Sequence, residues 1–140
     1  MSPLELVALV VGEYQPAIDF FVNVLQFELV ENVPSMTNDG RPKRWVVVRP
    51  AGSVTGLLLA RADGEQQAEI VGEQFAGRVG FFLRVDDFEA THERMVAAGV
   101  TFVTAPRVKR GRYGDGRVNV ISPSTVAKNV TQLPPGTRRP

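Results

Sequence analysis

The stretch Leu6-Val-Ala-Leu-Val-Val-Gly-Glu-Tyr14 is answered by Gly80-Phe-Phe-Leu-Arg-Val-Asp-Asp-Phe88, at a constant offset of 74 residues. In both copies an apolar, strand-like run ends in a short acidic turn, opens a helix of about three turns and leads into a second strand. The first copy continues to Phe27-Glu-Leu-Val30 and the second to Val100-Thr-Phe-Val103, the offset slipping by one residue. An internal duplication in a chain of 140 residues predicts one compact body built from two like halves, large enough to bury roughly 70% of the surface its unfolded chain exposes.

Working outward from the repeat, β-branched and aliphatic enrichment between turn signals predicts strands over 4–11, 27–33, 44–49 and 55–61. The turn signals are Asn38-Asp-Gly40 and Pro50-Ala-Gly52. Between the first two strands Ala17, Phe20, Phe21, Val24 and Leu25 recur at i, i+3, i+4, i+7 and i+8, the spacing of a helix that covers one face of a sheet. Pro16 sits where a first-turn proline is tolerated. Residues 62–77 are polar and contain glycine, which predicts a connector with one short helical turn at most. The second half repeats the order: a strand over 78–85, a helix over 87–98 closed by Gly99, and a strand over 100–104. Weaker strand signals follow at 117–121 and 130–133, and 134–140 reads as a disordered tail. The modules therefore span about 4–61 and 78–133.

Composition removes several chemistries. With no cysteine there is no disulfide framework, thiolate nucleophile or cysteine-ligated zinc or iron–sulfur site. The single histidine, His92, excludes any site needing two imidazole ligands from one chain. The opening Met-Ser-Pro-Leu-Glu lacks the basic and apolar segments of a signal peptide, and no apolar run approaches the ~20 residues of a membrane span. The expectation is a cytoplasmic protein without a membrane partner. The net charge of +1 hides an asymmetry: residues 1–106 carry 8 basic and 14 acidic side chains, residues 107–140 carry 8 basic and 1 acidic.

Ala17-Ile-Asp-Phe-Phe-Val-Asn-Val-Leu-Gln-Phe-Glu-Leu-Val30, together with Val85-Asp-Asp-Phe88, resembles the vicinal oxygen chelate superfamily of glyoxalase I, bleomycin-resistance proteins and extradiol dioxygenases. The resemblance covers 4–105 and implies an α+β fold of two βαβββ modules forming a curved mixed sheet around a cleft. It does not fix the reaction, since members isomerise, cleave rings, open epoxides or bind drugs. In metal-dependent members four strands each supply one ligand, and by position these fall on Leu6, Leu58, Gly80 and Gln132. Three of the four have no donor atom, so the resemblance implies that the family metal is absent and no cofactor is expected. A divalent metal returns only if this alignment is wrong.

By strand alternation the face that carries ligands in the family presents Leu6, Ala8, Val10, Leu58, Ala60, Gly80, Phe82 and Arg84. With Trp45 and Gln132 these make an apolar lining with one cation near a rim, suited to an apolar or aromatic small molecule. Trp45 stacks on a planar ligand or packs at a sheet edge. His92, near Phe88, Met95 and Val96, reads as a boundary residue of its helix. Asp86 and Asp87 precede a helix, which makes capping a better account than an acid–base pair. Ser122, Ser124 and Thr125 have no base beside them in sequence. The run Arg107-Val-Lys-Arg-Gly-Arg-Tyr-Gly114 is basic, but the rest of the chain is acidic and no nucleic-acid partner is expected.

Related sequences close with Tyr-Gly, a Thr-Val-Ala-like strand and an Asp-x-x-Gly-Asn turn. Here Tyr113-Gly114 runs into Asp115-Gly-Arg-Val-Asn-Val-Ile-Ser122 instead. Read one base later, codons for Asp-Gly-Arg permit Thr-Val-Ala, so a frameshift over 107–133 is one account of the departure, to be tested by resequencing the gene. Three functions compete: a metal-free binder of an apolar compound; a lyase, isomerase or dioxygenase drawing donors from Glu5, Glu28, Glu73 and His92; and a subunit whose modules pair between chains. The resemblance implies a homodimer.

Overall fold

A computed structural model of the chain describes residues 2–76, 80–100 and 117–118. The chain divides into two compact units, the first ending at Val71 and the second beginning at Gly72.

The first unit has the element order β1 (Leu6–Val11), α1 (Tyr14–Asp19, continued by a π-helical turn over Phe20–Val24), β2 (Glu28–Met36), β3 (Pro42–Arg49), β4 (Gly56–Arg61) and α2 (Glu65–Ile70). Strand order in the sheet is β1-β4-β3-β2, with β1 parallel to β4 and the other pairs antiparallel. This is the expected βαβββ module, a mixed α+β sheet. Alternation along each strand gives one face to the core, where Leu9, Val11, Val46, Val48 and Leu59 are all at most 1% exposed. Helix α1 packs on β4, and the whole predicted stripe of Ala17, Phe20, Phe21, Val24 and Leu25 is buried, with Ile18 beside it. Phe21 anchors the layer edge-on to Phe20 and tilted against Phe27, with ring centroids 5.5 and 5.3 Å away. Burying one such side chain contributes roughly 1.5–3 kcal/mol.

The helix widens at its end, where Leu25 N–H reaches the Phe20 carbonyl and Phe27 N–H the Phe21 carbonyl. Gln26, at φ 64°, then turns the chain into β2 from the left-handed region. Tyr14 ties the start of the helix to β3: its hydroxyl accepts from Arg44 N–H at 3.1 Å and donates to Arg44 C=O at 3.4 Å.

Strands β2 and β3 run further than the sequence predicts, to Met36 and from Pro42. The reading stopped before Pro34, yet proline is tolerated on an edge strand and at a strand's first residue. β2 is an edge, and Pro42 opens β3. The hairpin closes through Thr37-Asn-Asp-Gly40, with Gly40 at φ 86° and its N–H bonded to the Thr37 carbonyl. Arg41 then bonds Asp39 and clamps both oxygens of Asp63 at 2.8 and 2.9 Å. Between Leu29 and Glu31 the β2 register slips by one residue.

In the second unit β5 (Leu83–Arg84) pairs antiparallel with β6 (Arg117–Val118), and α3 spans Phe88–Ala97. β5 is much shorter than the strand predicted over 78–85, because an apolar run becomes a strand only where a partner supplies its ladder, and the described partner is two residues long. Asp87 caps α3 as expected, its side chain accepting from Ala90 N–H at 3.0 Å. Gly99, at φ 80°, closes it: Gly99 N–H bonds the Val96 carbonyl and Val100 N–H the Met95 carbonyl, a complete Schellman motif with Met95 and Val100 both buried. The buried stripe is Thr91 and Met95, while Val96 is 55% exposed. His92 is half-buried and stacks on Phe88. Val100 is not in a strand, and the strands expected over 101–104 and 130–133 and the tail over 134–140 lie outside the described residues.

Candidate ligand-binding face

The face of the first sheet that turns away from α1 carries the candidate site. Register places Ala8 beside Leu58, Leu58 beside Val47 and Val47 beside Glu31, so these four form one row across the sheet. Alternation puts Val10, Ala60, Trp45 and Val33 in a second row, within which Val10 pairs Ala60 and Trp45 pairs Val33. Leu6, Gly56, Arg49 and Glu28 make a third, with Leu6 paired to Gly56 and Arg49 to Glu28. Leu6, Val10, Trp45, Leu58 and Ala60 are half-buried and Ala8 and Val33 exposed, while Val47 is buried among them. One face of the sheet is thus packed to the limit and the other is an apolar surface still reachable from solvent.

Five of the expected lining residues, Leu6, Ala8, Trp45, Leu58 and Ala60, are brought together on this face. Gly80, Phe82 and Arg84 lie in the second unit, where Phe82 and Arg84 alternate outwards and both are exposed. Gln132 lies outside the described residues. Six members of the face are not among the lining read from the sequence: Glu28, Glu31, Val33, Val47, Arg49 and Gly56. Arg49 was within reach, because it stands two strand periods after Trp45.

The polar groups of the face are few. Trp45 Nε1 donates to Glu31 Oε1 at 3.3 Å, which holds the indole by its edge and leaves its rings to the apolar rows. Arg49 Nη2 is 3.7 Å from Glu28 Oε1, an ion pair too long for a hydrogen bond. Arg49 Nε is buried and has no hydrogen-bond partner.

The three described positions matched to metal ligands, Leu6, Leu58 and Gly80, present no donor. Leu6 and Leu58 are aliphatic, in neighbouring rows of the face. Gly80 has no side chain, and a Cβ placed on it would lie 2.1 Å from the ring of Phe75, which takes up the space a ligating side chain needs. Among the described residues no three histidine, aspartate or glutamate side chains gather as a metal site. No helix among them is long and apolar enough to cross a membrane.

A mixed βαβββ sheet with its helix on one face and an apolar opposite face defines the class of protein. The chain belongs to the Glyoxalase/Bleomycin resistance protein/Dioxygenase superfamily, whose family model matches residues 4–119. Among solved structures it is similar to UcmS2, with 28% identity and a TM-score of 0.59 over 80% of this chain and 85% of that one. It is also similar to TnmS3, an antibiotic binding protein from Streptomyces sp. CB03234, with 26% identity and a TM-score of 0.56 over 78% and 79% of the two chains. An uncharacterized protein of Shewanella frigidimarina is 47% identical over 102 residues, which is 72% of this chain and 73% of that protein. The family match ends at residue 119, before Gln132.

Proposed function

We propose that this protein binds an apolar or aromatic small molecule on the face formed by β1, β4, β3 and β2, and does so without the metal of its superfamily. The observation that carries the reading is the accessible apolar surface of Leu6, Ala8, Val10, Leu58, Ala60 and Trp45, on the face where the family resemblance places the ligands of metal-dependent members. Uncovered apolar surface with a held tryptophan is what a planar, poorly soluble ligand needs, because its binding removes both surfaces from water. The similarity to TnmS3, an antibiotic binding protein, supports binding as the role.

The residues do not fit a metal. Two aliphatic side chains and a glycine overlaid by Phe75 offer no lone pair, so neither Lewis-acid polarisation nor a metal-bound nucleophile is part of the proposed function. The reading includes a homodimer, as the family resemblance implies, and a cytoplasmic location.

Native mass spectrometry of protein purified without a metal-affinity step tests all of this together. The expected spectrum is a metal-free dimer that retains organic adducts and is unchanged by a chelator. A stoichiometric transition metal removed by that chelator would overturn the metal-free reading and favour a lyase, isomerase or dioxygenase.

A further inference from the structure

We infer that the ligand carries an acidic group and that Arg49 is its anchor. This rests on the binding-face reading above and names the chemistry the face selects.

Arg49 stands on β3 in the same face as Val47 and Trp45, at the end of the apolar rows. A guanidinium has five N–H donors in a planar fork and seldom leaves a buried one unused, since a buried donor without a partner forfeits its hydration with nothing in return. Here Nε is buried and unpaired. The neighbouring carboxylate does not repair this: Glu28 Oε1 sits 3.7 Å from Nη2, too far for a hydrogen bond, makes none with Nε, and is itself 55% exposed. A half-exposed pair of that length contributes little and exchanges readily. The side chain, 36% exposed, therefore sits on an apolar face with its Nε desolvated and unsatisfied. Those are the conditions under which a carboxylate, sulfonate or phosphate oxygen pair binds a guanidinium most strongly.

Spacing sets the shape of the ligand. Trp45 and Arg49 are four residues apart along β3, about 13 Å at the strand rise. An apolar body lying over Leu58, Ala60 and the Trp45 indole can reach the Arg49 fork with an acidic group at its end. Glu31 is occupied by Trp45 Nε1 and Glu28 competes for Arg49, so the face also disfavours a second acidic group at the tryptophan end. Arg84, the cation singled out in the sequence, belongs to the second unit and is not part of this row.

A matched pair of dyes separates the two parts of the reading: 1-anilinonaphthalene-8-sulfonate and its uncharged counterpart N-phenyl-1-naphthylamine. Binding is followed by dye emission and by energy transfer from Trp45. With the full chain, Arg49→Gln is expected to weaken the sulfonate about tenfold or more and to change the neutral dye less than about twofold. Glu28→Gln is expected to tighten the sulfonate alone, by removing the competitor, and Arg49→Lys to fall between wild type and Arg49→Gln because it keeps charge without the fork. If both dyes bind and Arg49→Gln affects them equally or not at all, the anchor is wrong and the binding face stands. If neither dye binds the wild type, the face itself is wrong and the anchor falls with it.

Discussion

Gly80 and Phe75 offer the sharpest test of how this chain departs from a metal site. A Cβ built on Gly80 would meet Phe75 Cδ2 and Cε2 at 2.1 Å and Cζ at 2.4 Å, more than an ångström inside ordinary contact. Phe75 is also packed edge-on against Phe81, with ring centroids 5.3 Å apart, so displacing it gives up that contact. Over-packing of this kind costs about 1–3 kcal/mol. The backbone of Gly80 is not in the left-handed region, so alanine there also lowers the entropy of the unfolded chain, a gain of about 0.4–1 kcal/mol. Gly80→Ala should therefore destabilise by about 1–2 kcal/mol in the native background and stabilise by about 0.5 kcal/mol in a Phe75→Ala background. The reversal of sign is the readout, and it isolates the pairwise term. Urea denaturation of the four chains should be followed by far-ultraviolet circular dichroism, because the single tryptophan, Trp45, lies in the first unit. Equal effects of Gly80→Ala in both backgrounds would refute the claim that Phe75 fills the position, and with it one support for a metal-free site.

Three further outcomes are expected. Tyr14→Phe removes the hydroxyl that bonds both backbone groups of Arg44 and should cost about 1 kcal/mol, read as a lower urea midpoint with an unchanged slope. Gly99→Ala forces a left-handed alanine into the Schellman turn and should cost roughly 1–2 kcal/mol, whereas Gln26→Gly, at φ 64°, should be neutral or stabilising by thermal melting. Hydrogen bonds from Thr37 and Arg41 hold Asp39 below its ordinary value of 3.8, and the Arg41 guanidinium does the same for Asp63. Carboxyls depressed on folding add stability above their ordinary value and lose it as pH falls through their lowered folded values, so the difference between wild type and Asp63→Asn should be present at pH 7 and shrink as the pH is lowered below about 4.

Local patterns carried much of the fold. The apolar stripe of α1, the Asp87 cap and the Gly99 stop were all legible, because each is settled within a few residues by helix geometry. The assignment of Leu6, Ala8, Leu58 and Ala60 to one face followed from the two-residue period of strands together with the family resemblance, whereas Trp45 was left between stacking on a ligand and packing at a sheet edge. What escaped depends on partners distant in sequence. The extent of β5 is set by its ladder and not by the Gly80-Phe-Phe-Leu run that leads into it, and Phe75 over Gly80 is a contact between the connector and that run that no periodicity announces.

The register of β2 shows why the polar edge of the binding face was hidden. Read as plain alternation, Leu29, Glu31 and Val33 share one side of the strand. Leu29 pairs with Val48, whose side chain faces the core, so an unbroken ladder would send Glu31 and Val33 to the core side as well. The slip between Leu29 and Glu31 inserts Val30 and reverses the phase, pairing Glu31 with Val47 and Val33 with Trp45 on the open face. One extra residue thereby gives Trp45 its hydrogen-bond acceptor, leaves Glu28 at the Arg49 end, and spares the core a buried carboxylate. The placement of Glu31 and Val33 thus traces to a single bulge, which is why plain strand alternation, enough to reach the apolar lining and Arg49, could not place the carboxylate that holds Trp45.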